Sequence, residues 1–238
     1  MITIIKHFDK IFIKHSLYHR KMKASKMQGI FQDKKRIYTE NYCKGEKVYN
    51  EKLVKYKGKE YRSWNPYRSK LAAAILNGFN FMIEPYMKIL YLGAASGTTV
   101  SHISDIVKDG LIYAVESSPF AAKSLIALCK KRKNVIPIFA DANHPDRYSY
   151  IISNVDLIYQ DISQRNQADI FISNVSKYLK NKETSILMVK ARSIDVSLKP
   201  KKAYDIVCTK LKENKLKIIE TIDLFPYEKD HAAIIVSA

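Results

Sequence analysis

A chain of 238 residues with 47% hydrophobic content suits one medium domain, or one domain with a small extension, and is enough for a buried core. No run reaches the roughly 18–20 apolar residues that cross a bilayer, and the first residues, MITIIKHFDKIFIKH, hold no signal-like apolar segment, so a cytoplasmic protein without a membrane partner is expected. The net charge of +18 is uneven: residues 1–70 carry 19 basic and 6 acidic side chains, net +13, against +5 for the rest, which points to a polyanion met mainly by one end.

The first stretch of the chain reads as a β-rich basic N-terminal subdomain over residues 1–60, with Gly45 and Gly58 as turn points. Cys43, Cys129 and Cys208 lie far apart and read as small buried hydrophobes. His15 and His19 sit at i, i+4 but lack a third ligand, so no metal is expected. A helix over 69–79 leads into the second part, 61–238.

From residue 88 onward the pattern is regular. Strands are expected at 88–93, 111–116, 134–140, 155–161 and 184–191, separated by helices at 98–107, 119–132, 145–153 and 166–179. Ser118 and Pro119 form an N-cap and first-position pair for the second of these. A helix at 201–213 and two consecutive strands at 215–224 and 231–238 close the chain. Strand–helix alternation means right-handed crossovers and a mostly parallel sheet. The last two strands add one antiparallel member, so the expected fold is α/β: a Rossmann-like, seven-stranded sheet of the S-adenosylmethionine-dependent methyltransferase type.

In an open parallel sheet, ligands bind beyond the carboxyl ends of the strands. Three features fall there. The loop Gly93-Ala94-Ala95-Ser96-Gly97-Thr98-Thr99 follows the first of these strands and opens a helix, where free N–H groups suit an anion. Glu116 ends the next strand, some 20 residues on, and can accept both hydroxyls of a ribose. Asp141 and Ala142 follow the third, placed to reach an adenine amino group. Loop and acids together indicate an adenosine-type cofactor and leave both NAD and S-adenosylmethionine open, although the loop is not GxGxxG.

More specific is YLGAASGTTVSHISDIV, which closely resembles the cofactor loop of the fibrillarin family. The likeness continues in order through KKRKNVIPIFADANHPDRY, VDLIYQDISQRNQADI, MVKARSIDV and PYEKDHAAIIV, and upstream through GEKVYNEKL and EYRSWNPYRSKLAAAI. It spans roughly residues 40–236. The resemblance implies an S-adenosylmethionine-dependent RNA ribose 2′-O-methyltransferase acting on rRNA and, in archaea, tRNA. Implied partners are a box C/D guide RNA with its target RNA, a Nop-family coiled-coil scaffold and a kink-turn-binding ribosomal-protein-like subunit. It further implies cofactor contacts from Gly93, Ala94, Ser96, Gly97, Thr98 and Thr99 on the methionine part, Glu116 with Ser117 on the ribose, and Asp141 with Ala142 on adenine. Asp161, Ile162, Ser163 and Gln164 stand for the family's Asp-Val-Ala-Gln beside the methyl group.

Departures are Ser117 and Ser118 where aromatic residues or alanine are common, Ile162-Ser163 for Val-Ala, and Arg165 for a usual proline. Lys70, Asp161, Lys190 and His231 resemble the family's Lys-Asp-Lys-His set. On this reading Lys190 is the base, Asp161 orients it, and His231 positions the ribose. Two alternatives carry the same fold: a protein glutamine methyltransferase, and a non-catalytic scaffold subunit of a ribonucleoprotein.

Overall fold

The computed structural model describes residues 22–79, 81–180 and 183–238. His15 and His19, with the first 21 residues of the expected N-terminal subdomain, lie outside them.

Five short strands come first: β1 (Lys23–Ala24), β2 (Ile30–Asp33), β3 (Arg36–Glu40), β4 (Leu53–Tyr56) and β5 (Lys59–Trp64). They form an antiparallel sheet in the order β1-β2-β3-β5-β4. The β4–β5 turn places Lys57 and Gly58 at φ 47° and 75°, the paired positive angles that a tight two-residue hairpin needs. The boundary expected at residue 60 falls inside β5; strand pairing carries this sheet on to Trp64, because Ile37 and Trp64 are still register partners.

Helix α1 (Lys70–Leu76) follows, capped by Ser69, whose hydroxyl accepts from Ala72 N–H. It is shorter than the expected 69–79, since the chain breaks at Asn77 into Gly78 at φ 102°. The main sheet comprises β6 (Lys88–Leu92), β7 (Leu111–Glu116), β8 (Val135–Phe139), β9 (Leu157–Gln160), β10 (Thr184–Lys190), β11 (Lys217–Asp223) and β12 (His231–Ser237). Its order is β11-β12-β10-β9-β6-β7-β8. Strand β12 runs antiparallel between β10 and β11, as the missing helix before it implies.

The crossover helices are α2 (Thr98–Ile106), α3 (Pro119–Lys131), α4 (Gln167–Tyr178) and α6 (Pro200–Glu213), with one extra turn, α5 (Ala191–Ile194), directly after β10. The helix expected at 145–153 is a single 3-10 turn, Pro145–Tyr148. Tyr148 is fully buried and donates its hydroxyl to Asn174, which pins the chain, whereas Tyr150 is 84% exposed and offers no apolar face to continue on.

Strands β6 and β9 are buried on both faces, so alternate residues feed two cores. Ile89 and Tyr91 join Ala72, Ile103 and Trp64 on one side; Leu90 and Leu92 join Phe171 and Val207 on the other. All three cysteines are free and half-buried.

Charge fastens the small sheet to α2. Asp105, 1% exposed, accepts from Thr39 Oγ1 (2.6 Å), Arg62 Nη1 (2.8 Å), Arg132 Nη1 (2.7 Å) and the Tyr42 N–H (3.0 Å). Arg62 also donates to Glu51 at 2.6 Å, both side chains fully buried. Because Thr39 gives its proton to Asp105, it accepts from His102 Nδ1 (2.7 Å), and His102 Nε2 in turn accepts from the Tyr49 hydroxyl (2.7 Å). Burial first, then Arg62 and Arg132, hold His102 well below the usual histidine range; burial pushes Tyr49 up to about 12. The Trp64 ring stacks on His102 at 4.7 Å. Replacing Asp105 with Asn leaves buried Arg132 without a carboxylate and Arg62 with Glu51 alone, so unfolding free energy should fall by about 3–5 kcal/mol in denaturant titrations. Lys210→Ala, which breaks a pair exposed on both sides, should cost under about 1 kcal/mol in the same titrations.

Candidate active site

At the centre of the sheet, β6 pairs with β7 on one side and β9 on the other, so the chain turns opposite ways at its carboxyl end and leaves a crevice. Gly93 sits at that point with φ 81°. A Cβ there would lie 2.4 Å from the Asp161 carbonyl oxygen, so only glycine lets the two strand ends close on each other. Ala95, at φ 48°, turns the loop back, and its N–H donates to Glu116 Oε2 at 2.7 Å. Ser118 N–H donates to the other oxygen, Oε1, also at 2.7 Å. Glu116 is thereby fixed across the end of β7.

The cleft is lined by Gly93, Glu116, Ser117, Asp141, Ala142, Asp161, Ile162, Ser163 and Gln164, all expected, together with Ala95, Val115 and Ala140. Asp141 Oδ1 accepts from the backbone and side-chain N–H of Asn143, both at 2.9 Å. Those bonds hold its carboxyl below the usual range. The Asn143 amide also donates to Gln164 Oε1 at 2.9 Å and accepts from Asn166 at 2.7 Å, tying the two walls together.

Ala94, Ser96, Gly97, Thr98 and Thr99 do not line this cleft. Ala94 is buried at 4% exposure. Gly97 (φ 91°) is the N-cap of α2, and a Cβ on it would strike Leu128 at 2.8 Å. Thr99 donates its hydroxyl to Ser69 at 3.0 Å, so it links the caps of α2 and α1. Ser96 faces a separate hollow beside Cys43 and Leu128.

The four residues of the Lys-Asp-Lys-His set gather beside the cleft, though not in the expected pairing. Asp161 is held to β6 through its N–H on the Leu92 carbonyl (2.9 Å), and its carboxylate takes both oxygens to Lys70 Nζ, at 2.8 and 3.1 Å. The carboxylate therefore orients Lys70 and not Lys190. Lys190 ends β10, directly opposite His231 on β12, which sets the two side chains on one face of the sheet. Among the described residues no carboxylate pairs with Lys190. His231 lies 2.6 Å from the Lys229 carbonyl through Nδ1; a carbonyl only accepts, so Nδ1 carries the proton and Nε2 is bare. Burial and then the Lys70 ammonium lower its pKa from 6.5, which keeps the ring neutral at physiological pH.

Gln167 was not foreseen. It is fully buried, and its carboxamide mimics a strand: Oε1 accepts from Lys190 N–H (3.0 Å) while Nε2 reaches the Lys190 and Gln164 carbonyls (3.2 and 3.1 Å). Pairing of β9 with β10 stops at Gln160–Leu187, so Gln167 satisfies backbone groups that the departing β9 leaves behind. Its signal was available, since Gln167 and Asn174 sit on the otherwise apolar stripe of α4. Asn143 could have been found as the Asx-turn partner of Asp141; Ala95, an alanine in the left-handed region, offered no signal.

Sheet order, crevice and acidic strand ends define the class: a Rossmann-like fold of the S-adenosylmethionine-dependent methyltransferases. The fibrillarin family model matches residues 21–238, and the chain belongs to that family. A fibrillarin-like rRNA/tRNA 2′-O-methyltransferase of Methanosarcina barkeri is 47% identical over 213 residues, 87% of this chain and 94% of its own. Aeropyrum pernix fibrillarin, solved with natively bound S-adenosyl-L-methionine, superposes with a TM-score of 0.82 at 37% identity, covering 91% of this chain and 97% of that one. The fibrillarin chain of a fibrillarin/Nop5p complex gives 0.80 at 43% identity, over 88% and 97%.

Substituting Gln167 by Met keeps the volume but removes the side-chain hydrogen bonds to the Lys190 N–H and C=O. The expected loss is about 1–3 kcal/mol of unfolding free energy, measured by denaturant titration; an unchanged midpoint would contradict the strand-mimic reading.

Proposed function

We propose that this chain transfers the methyl group of S-adenosylmethionine to ribose 2′-hydroxyls of ribosomal and transfer RNA. One observation carries the reading: in a chain of the fibrillarin family, the adenosine-type cleft at the strand ends shares Asp161 with a Lys70 ion pair, and Lys190 and His231 stand together beside it. The cleft fits the cofactor. Gly93 lets the ends of β6 and β9 close at the cleft without a Cβ striking the Asp161 carbonyl oxygen, Glu116 offers a fixed carboxylate for ribose hydroxyls, and ionised Asp141 suits an adenine amino group. Ile162, Ser163 and Gln164 close its far wall, and Ser117 lies next to Glu116.

S-adenosylmethionine supplies an already activated methyl group, so the protein's work is to place and deprotonate the acceptor. As the free amine, Lys190 takes the 2′-hydroxyl proton and becomes the ammonium; among the described residues no carboxylate pairs with it. Lys70, held on Asp161, keeps positive charge beside the acceptor and favours the developing alkoxide. His231, neutral with Nε2 bare, accepts a hydrogen bond from the ribose. A Nop-family scaffold, a box C/D guide RNA and a kink-turn-binding subunit would deliver the target. Both a scaffold-only role and protein glutamine methylation would leave Lys190 without a task on RNA.

Lys190→Ala should therefore retain thermal stabilisation by S-adenosylhomocysteine while RNA methyl transfer drops by at least about 10²-fold. Full activity in that variant would overturn the assignment.

A further inference from the structure

Between the small sheet and the β11–β12 link runs an open groove, distinct from the cofactor cleft. Four cationic side chains line it: Lys35 and Arg36 at the β2–β3 turn, Lys52 before β4, and Arg68 just before α1. All four are exposed, and among the described residues none pairs with a carboxylate. The groove's one acid, Glu51, is spent on Arg62 and on the Val48 and Tyr49 N–H groups, so it neutralises nothing outside. Uncompensated like charges along one channel repel each other and favour a polyanion as occupant.

Aromatic faces interleave with the charge. Tyr67, 64% exposed, meets Tyr227 edge to face at 5.3 Å, and the Arg68 guanidinium lies 5.4 Å over the Tyr49 ring. Cations with exposed planar rings are the chemistry that holds single-stranded nucleic acid, by phosphate contact and base stacking. Position adds direction. Tyr67 and Arg68 precede Lys70 by three and two residues, and Tyr227 precedes His231 by four, so two of the groove's walls run on in the chain to acceptor-side residues.

We propose that this groove seats the target strand of the RNA next to the nucleotide being modified, with Lys35, Arg36, Lys52 and Arg68 on phosphates and the Tyr67–Tyr227 pair against a base. The inference rests on the proposed activity and adds where the substrate lies. It also accounts for the charge asymmetry of the chain through residues that the cofactor cleft does not use.

The test uses the full chain and a fluorescent single-stranded RNA of about 12 nucleotides. The triple variant Arg36→Glu, Lys52→Glu, Arg68→Glu should weaken binding at least tenfold, and the slope of log affinity against log salt should shrink by about 2 for the three lost contacts. Tyr67→Ala, which leaves charge and core alone, should weaken binding about tenfold with the slope unchanged. Lys201→Glu with Lys202→Glu and Lys212→Glu, three exposed lysines on α6, serves as the charge-matched control and should leave binding near wild type. Wild-type affinity and slope in the triple variant, or equal loss in the control, overturns the proposal. Should the triple variant fail to fold, wild-type affinity in Tyr67→Ala overturns it equally. Retained RNA binding with lost scaffold binding would assign the groove to a protein and overturns it too. Failure of the proposed activity looks different: the wild-type chain, assembled with its partners, would bind RNA in the groove yet methylate none.

Discussion

The carboxylate of Asp105 holds two parts of the molecule in one piece. It is buried with two arginines, a threonine hydroxyl and a backbone N–H around it, and those partners come from the small sheet, from the end of α3 and from the chain leaving β3. Such a cluster tolerates little rearrangement, because each buried charge needs its partners in place. Asp105 lies on α2, whose opposite end carries the glycine loop. Docking the sheet on this helix therefore also sets where β5 ends, where α1 begins and where Lys70 points. The Thr99–Ser69 bond repeats the tie at the helix caps.

That geometry explains why the site straddles both parts. Asp161 belongs to the main sheet and Lys70 to the helix that follows the small one, yet they meet at 2.8 Å. Lys190 and His231 arrive from the other flank, on neighbouring antiparallel strands whose register places them opposite one another. The antiparallel β12 is what permits this, since its first residue abuts the last residue of β10. The cofactor cleft and the acceptor side share only Asp161, so charge placed there bears on both halves of the reaction.

Much of this was legible in the chain. Strand–helix alternation announced the parallel sheet, the closing strand pair its antiparallel member, and Glu116 and Asp141 stood at strand ends where a ligand binds. Periodicity fails where side chains act as backbone. Gln167, visible in the chain only as a polar residue on an apolar stripe, completes a strand edge, and Thr99 donates to the serine that caps a neighbouring helix, which no local pattern shows. Partner choice among charges was likewise hidden: Asp161 and Lys190 end adjacent strands, but the long reach of Lys70 from a separate element wins the carboxylate. His102 illustrates the reverse case, a histidine beside the glycine loop that serves packing, stacked on Trp64 and sealed from solvent.

The central claim is that ribose oxygen is the acceptor. Its most direct test assembles the chain with guide RNA and protein partners, supplies S-adenosylmethionine labelled on the methyl group, and compares a target RNA with the same RNA carrying a single 2′-deoxy nucleotide at the addressed position. Label on the first and none at that position on the second is the predicted result. Equal labelling of both would contradict it.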